Sequence, residues 1–448
     1  MRFIYNLLFL FSFLLTAPFY FFKMWRRGHW KRGFWQRFGV FDTPIKAAVS
    51  NRNCLWIHAV SVGEVNLATQ LIRSLERHAP NLKLLVSTTT STGMSELKKK
   101  LPTHIIKVYF PIDWPMFINR ALRVVNPEAI VLVEAEIWPN FLWKAQSRGI
   151  PVFLINARMS ERSFQRYRRA RFLFGGIFAS FAGVGVQNEE DGQRMITLGC
   201  RPRKVKELGN LKFDSAKLDE RPAFSVGDIF RQIAVPANPM VLVGGSTHEG
   251  EEAILGEIYV RLKKVFPNLF LVVVPRHFER SQDAGRDLKK SGVRPVFRTE
   301  VSMQSQSNPG EFDCLVVNTT GELLQFYACA SLIFIGKSLT AKGGQNPLEP
   351  ASLGKAIVFG PNMQNFRSIT ESLVGAGGAR QVADAVELES VMLHLLANEQ
   401  ARNELGQAAM KVITENQGAV ERSVQMILKP LRKDDVFLSP SPDAKKRV

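Results

Sequence analysis

Apolar runs of six or seven residues recur along this chain, and most are followed by a stretch with helical periodicity. In the first half they are CLWIHAV (54–60), KLLVST (83–88), IIKVYF (105–110), AIVLVEA (129–135), PVFLIN (151–156) and FAGVGV (181–186). In the second they are MVLVGGS (240–246), LFLVVVP (269–275), DCLVVN (313–318), LIFIGK (332–337) and AIVFGP (356–361). Between them, segments such as Val65–His78 and Met116–Val125 space apolar residues three and four apart. Near-continuous apolar runs predict strands buried on both faces, and their alternation with helices predicts parallel, doubly wound α/β sheets. A chain of 448 residues exceeds one ordinary core. The pattern lapses into polar residues with Pro222 and Pro236, which places a linker at 216–238. A first domain then covers 25–215 and a second 239–430, and the charged, proline-bearing tail 431–448 reads as disordered.

Ahead of this pattern stands Phe3–Phe22, an uncharged run of twenty residues. At about 1.5 Å per residue it matches the roughly 30 Å hydrocarbon layer of a membrane. Lys23, Arg26, Arg27, Lys31, Arg32 and Arg37 follow, interleaved with Trp25, Trp30 and Trp35. Basic residues behind a span favour the cytoplasmic side, and tryptophans favour the headgroup level. A signal peptide would have a shorter apolar region, its charge in front and a small-residue cleavage site. The run therefore reads as an uncleaved anchor over 1–24 that either spans the membrane or, bent at Pro18, lies in it. The remaining chain is then expected on the cytoplasmic face, where basic residues meet anionic lipid.

The net charge of +19 calls for an anionic partner: nucleic acid, an acidic membrane surface or a phosphorylated substrate. Cys54, Cys200, Cys314 and Cys329 form no CxxC pair and read as reduced thiols, Cys54 and Cys314 as core packing.

In open α/β sheets, ligands bind beyond the carboxyl ends of the strands, and several strand ends here carry chemistry. Glu64, in Ser61-Val62-Gly63-Glu64, sits at a helix start, placed either to take a proton or to cap the helix and complement its dipole. Glu134 and Glu136 close an apolar strand, where a carboxylate needs a partner or a task. Arg158, Ser160 and Arg162 open a very basic helix that continues through Arg166, Arg168, Arg169 and Arg171. Lys212 stands just before the linker. In the second half Ser246 and Thr247 offer hydroxyls at a glycine turn, the Pro275-Arg276 strand tip offers a cation, and Gly321-Glu322-Leu323 starts a helix. The stretch 332–361 reads as strand, glycine loop (Gly336, Gly343, Gly344), helix and strand. Pro347 falls at the first helical position after Asn346, and the helix runs through Leu348 and Glu349 to Gly354. Such a helix start can hold a phosphate or be an ordinary βα turn, and Glu349 is suited to a ribose diol or only to the dipole. There is no GxxxxGK[ST] loop, no clear GxGxxG fingerprint in the second half, no DxD pair for a metal-held nucleotide sugar and no HExxH-type ligand set.

Taken together, an anchor followed by HAVSVGE, VEAEIWPN, NARMSERS, GSTHEGEE, PRH and GGQNPLEPASLGKAIVFGP resembles the 3-deoxy-D-manno-octulosonic acid (Kdo) transferases of Gram-negative lipopolysaccharide synthesis. The resemblance runs from the anchor to about residue 425. It implies a GT-B fold, two Rossmann-like domains facing a cleft, with acceptor bound by the first and CMP-sugar by the second. It implies transfer of Kdo from CMP-Kdo to the tetra-acylated lipid A precursor, at the inner membrane's cytoplasmic face, by metal-independent inversion and with no cofactor. Glu64 would be the general base, Glu134 (or Glu136, two residues on) and Lys212 would stabilise the transition state, and Arg158, Ser160 and Arg162 would meet the acceptor. CMP would lie against Ser246, Thr247, Pro275, Arg276, the Gly321-Glu322-Leu323 turn, Asn346, Pro347 and Leu348, with Glu349 on the ribose. An acceptor with two phosphates and acyl chains accounts for the basic first half without nucleic acid. Two rival readings are a lipid-dependent GT-B enzyme using a UDP-sugar, and a membrane-tethered protein that binds RNA or anionic lipid without catalysis.

Overall fold

A computed structural model describes residues 2–26, 33–50, 54–134, 137–216, 224–301 and 307–431. The chain forms two compact units, Met1–Asp214 with the segment from Gln417 onward, and Ser215–Asn416.

The first unit is built on a seven-stranded sheet: β1 (Cys54–His58), β2 (Lys83–Thr88), β3 (Ile106–Tyr109), β4 (Pro127–Val133), β5 (Val152–Ala157), β6 (Gly183–Val186) and β7 (Val205–Glu207). Their spatial order is β3-β2-β1-β4-β5-β6-β7, all parallel. Every residue of β1 is buried, because its odd and even side chains enter different cores. Trp56 joins Phe141 and Phe178 on one face, while Leu55 and Ile57 join Leu71 and Ile72 on the other.

The second unit repeats the plan with β8 (Met240–Thr247), β9 (Leu269–Pro275), β10 (Pro295–Phe297), β11 (Cys314–Val316), β12 (Leu332–Ile335), β13 (Ile357–Phe359) and β14 (Arg380–Gln381). They are ordered β10-β11-β9-β8-β12-β13-β14. The chain leaves β8 for β9 on one side and later returns to β12 on the other, so the loops after β8, β9 and β12 meet where the strand order reverses, the usual ligand position in such sheets. All eleven expected strands are present, and the doubly wound α/β class with them.

Two boundaries differ: the second unit begins at Ser215 and takes in the stretch expected as a linker, and it ends earlier than expected. Position along the chain assigned 239–430 to the second domain, but the helix Ala419–Leu428 belongs to the first unit. Val420, Val424, Ile427 and Leu428 enter the same core as Leu55 and Leu71. Gly418, at φ 88°, breaks the preceding helix, and the Asp214 carboxylate accepts the Gly418 and Val420 N–H groups, both at 2.6 Å. Arg422 donates to the Leu208 carbonyl at 2.7 Å. An amphipathic pattern states only that a face will be buried, and these polar contacts decide where.

The first helix, Arg2–Arg26, is long and apolar enough to cross a membrane. Of the basic residues expected behind it, Arg26 ends the helix, and Arg37 is buried against the sheet. Arg27, Lys31, Arg32 and Trp30 lie outside the described residues, as do Glu136, residues 217–223 of the expected linker and the tail from 432; the rest of that stretch is not a plain linker, since Val226–Gln232 is a helix that buries Ile229 and Phe230. The four cysteines are free; Cys54, Cys200 and Cys314 are buried, and burial pushes the Cys54 and Cys200 thiols up to about 12.

Candidate active site

In the first unit, β1 ends at His58 and the helix Val62–His78 begins three residues after Ala59. Ser61 is its N-cap, with Oγ accepting the Glu64 N–H, and Glu64 answers with both carboxylate oxygens. Oε2 accepts the Val60 N–H and Oε1 the Ser61 hydroxyl, each at 2.8 Å. This reciprocal Ser61–Glu64 pair resembles a capping box, with the Val60 N–H in place of the Ser61 N–H, and fixes the side chain at the strand tip. Burial pushes the Glu64 carboxyl up; these hydrogen bonds oppose the shift and the Glu134 charge adds to it. Capping and proton transfer are therefore not rivals here: the cap orients the carboxylate, and the raised proton affinity makes it a stronger base.

Glu134 follows β4 and has φ 62°, a left-handed conformation that costs a non-glycine residue energy and sits at the end of a buried strand. Lys212 arrives from the far edge of the sheet. The Asn156 side chain accepts the Leu211 N–H at 3.0 Å, the Asn210 side chain accepts the Lys212 N–H at 3.0 Å, and the short helix Leu211–Ala216 follows. Burial lowers the Lys212 ammonium pKa, Glu134 opposes that and Arg158 adds to it. Glu64, Glu134, Lys212 and Arg158 thus form one electrostatically linked group drawn from four separate strand ends.

Glu134 and Arg158 also line a cavity of about 570 Å³ with Ser160, Ser163, Arg166, Tyr167, Ala170 and Phe174. Ser160 caps the helix Glu161–Arg169 through the Ser163 N–H at 3.3 Å. Arg162 is exposed and outside the cavity lining, whereas Arg166, one turn on, is within it. Sequence reasoning saw this helix as a basic face; its Tyr167 and the following Phe174, which supply apolar walls, carried no separate signal.

The second unit gathers most of the residues expected around a nucleotide. Asn346 Nδ2 donates to Glu349 at 3.1 Å while its Oδ1 accepts the Leu348 N–H at 3.1 Å. Burial pushes the Glu349 carboxyl up, opposed by Asn346 and by the Arg276 charge, which places the β9 tip beside the β12 loop. The helix is shorter than expected, Leu348–Ser352, and Pro347 is its N-cap rather than its first residue. Arg276 is exposed, and Gly321, at φ 87°, turns the chain into the helix Leu323–Cys329.

Two expected ligand groups are engaged within the protein. The Thr247 hydroxyl, expected to meet a phosphate, donates to the buried Glu252 at 2.9 Å, and Glu322 accepts from Arg298 at 3.1 Å. Sequence reasoning missed Glu251, whose fully buried carboxylate accepts four backbone N–H groups: Ser338 (2.9 Å) and Leu339 (3.0 Å) on Oε1, Lys337 (2.7 Å) and His248 (2.9 Å) on Oε2. It fills the loop's N–H nest from inside and ties the loops after β8 and β12 together. Gly336 completes the seam, since a Cβ there would run into the Ser246–Thr247 backbone. Glu251→Gln exchanges one acceptor for a donor facing those N–H groups, at a cost of about 1–3 kcal/mol per buried group left unpaired. The expected result is a clearly lowered Tm of the full-length protein, measured by thermal melting.

Comparison with known proteins bears on this arrangement. The family model described as 3-Deoxy-D-manno-octulosonic-acid transferase (kdotransferase) matches residues 32–215. A 3-deoxy-D-manno-octulosonic acid transferase of Haemophilus influenzae is 32% identical over 379 residues, covering 84% of this chain and 86% of that protein. The chain belongs to the 3-deoxy-D-manno-octulosonic acid transferase family. A Bordetella pertussis member is 30% identical over 92% of this chain and 96% of its own. This Kdo transferase family is one of glycosyltransferases acting in lipopolysaccharide synthesis, and the chain is an enzyme of that class. Among solved structures, a UDP-GlcNAc 2-epimerase of Neisseria meningitidis superposes with TM-score 0.55 at 14% identity, over 84% of this chain and 100% of that one. That likeness is one of fold, and it fits the GT-B pair of parallel sheets.

Proposed function

We propose that the protein transfers Kdo from CMP-Kdo to the tetra-acylated, bis-phosphorylated lipid A precursor at the cytoplasmic face of the inner membrane, without a metal and with inversion. The observation that carries this reading is the first unit's cavity, where Arg158, Arg166 and the serine hydroxyls stand beside Tyr167 and Phe174, and Glu134 joins the cavity to the Glu64–Lys212 group. Guanidinium groups suit phosphates, and aromatic walls suit acyl chains.

In the proposed reaction the Glu64 carboxylate accepts the proton of the acceptor hydroxyl as its oxygen bonds to the anomeric carbon of Kdo. The bond from that carbon to the CMP phosphate breaks, its electron pair leaving with the phosphate. No enzyme nucleophile intervenes, so one displacement inverts the centre. Lys212 offsets negative charge as it develops, the part a metal would otherwise play. On the donor side, Glu349 is read as the ribose acceptor and the Ser246, Arg276 and Asn346 loops as the CMP cradle, shaped by Glu251.

The test is donor choice in full-length protein with the tetra-acyl precursor. Transfer from CMP-Kdo in the presence of EDTA, with CMP and not UDP inhibiting, is the expected result. Transfer from a UDP-sugar instead, or loss of transfer with EDTA that Mg²⁺ restores, overturns the donor or the metal independence respectively.

A further inference from the structure

The helix Arg2–Arg26 is two-sided. Tyr5, Asn6, Phe9, Phe13 and Ala17 are half-buried and recur at helical spacing, whereas Phe3, Leu7, Phe11, Leu14, Phe19 and Phe22 are exposed around the opposite side. The half-buried stripe is held by specific polar contacts. Asp113, 1% exposed, accepts the Asn140 and Phe141 N–H groups (3.0 and 2.8 Å) at the start of the helix Pro139–Ser147, and also the Tyr5 hydroxyl at 2.9 Å. The Asn140 side chain donates to Asn6 at 2.8 Å. Tyr5 meets Trp143 edge-on with ring centres 5.6 Å apart, and Phe9 stacks on Trp114 at 6.5 Å. The first turns of the helix are therefore docked on the first unit.

The chain that follows the helix is tied to the same unit. Arg37 is buried, donates to the Thr89 carbonyl at 2.9 Å and lies 4.2 Å over the Tyr109 ring, while Gln36 accepts the Tyr109 N–H at 2.8 Å. A helix that crosses a bilayer separates its ends by roughly 30 Å of hydrocarbon. Here both flanks rest on one folded unit, so a crossing would carry part of that unit, including the Asp113 carboxylate, to the far side.

We propose that this helix does not cross the membrane. It lies along one leaflet, its half-buried stripe seated on the first unit through Asp113 and Asn140 and its exposed apolar side sunk among acyl chains. Anionic lipid is the partner that charge favours: Arg26 is exposed at the helix end, and the exposed Arg162, Arg168 and Arg169 on the same unit precede Phe172, which is 73% exposed. Tyr5 of the helix and the cavity-lining Tyr167 and Phe174 pack against the same hydrophobic core of the first unit, which offers a route from the immersed helix to the cavity. The entry of a glycolipid by that route rests on the proposed acceptor; the topology does not.

The test uses full-length protein in isolated inner membranes with the native cysteines kept, since three are buried and the fourth half-buried. A Tyr5→Cys/Trp143→Cys pair treated with a short bifunctional maleimide is expected to cross-link within one chain, while the protein resists extraction by high salt and keeps transfer within about twofold of the uncross-linked sample. Separately, Phe3→Cys is expected to stay unlabelled when an impermeant maleimide is applied outside intact spheroplasts. Labelling of Phe3→Cys from outside overturns the proposal in favour of a span, whatever the fate of the cysteine pair. A cross-linked product of doubled mass puts a second copy on the apolar face, and salt-extracted protein with the cross-link intact removes lipid as its partner; either result also overturns it.

Discussion

Glu64→Gln is expected to reduce Kdo transfer by about 10²–10⁴-fold, the range for losing a positioned general base. The substitution is nearly isosteric, and glutamine can keep one carbonyl acceptor for the Val60 N–H or the Ser61 hydroxyl, so the helix cap loosens without being lost. A loss of about 1 kcal/mol in stability is expected from the weakened cap, far less than the catalytic loss. CMP affinity should be unchanged, because Glu64 belongs to the first unit and the proposed nucleotide residues to the second. The pH profile supplies an independent check. The base works only when ionised, and burial raises its pKa, so in the wild type kcat/KM falls as pH drops through a value above the ordinary glutamate range. In Glu64→Gln that acid limb should disappear along with most of the rate. Transfer within tenfold of wild type would leave Glu64 a cap and no more, and would send the base assignment to Glu136.

The strands were legible because a buried parallel strand needs a run of apolar residues on both of its faces, and such a run stands out in sequence. The three that were missed, β7, β10 and β14, are two or three residues long, and the residues of β14 are exposed. A run of two or three residues is too short to show the pattern, even in β10, where all three are buried. Glu64 was legible for a different reason: Ser61 and Glu64 form a local capping pair, written within four residues. Glu251 was not, since its partners at Lys337, Ser338 and Leu339 lie more than eighty positions away, and nothing in GEE distinguishes a carboxylate that fills a backbone nest from one that complements a dipole. The same holds for Thr247, whose hydroxyl suits a phosphate equally well until Glu252 is seen to take it. At Glu134, φ 62° is a conformation that sequence would assign to glycine or asparagine, so the bend that brings its carboxylate to Lys212 and the cavity is written nowhere in the residue type. Residue chemistry located the candidate ligands; only tertiary structure shows which are spent within the protein.

Lys212→Met should show whether the half-buried ammonium serves the reaction or the fold. Methionine keeps the length and flexibility of the side chain and removes its charge. If Lys212 offsets charge that develops during transfer, kcat falls about 10²–10³-fold, as when one preorganised donor is removed from such a site, while the KM for both substrates stays near wild type. Stability should move the other way or stay level. Burial lowers the Lys212 pKa, which means the folded state disfavours the charged form, and the opposing pull of Glu134 does not make up the difference. A methionine in that place escapes the desolvation cost, although Glu134 gives up part of its compensation. An unchanged or higher Tm together with a collapsed kcat would identify a cation kept against its own solvation cost for the sake of turnover. A lower Tm with kcat intact would instead make Lys212 a structural partner of Glu134. A raised KM with kcat intact would assign it to ground-state binding, and the charge compensation would then fall to Arg158, the other cation of the group.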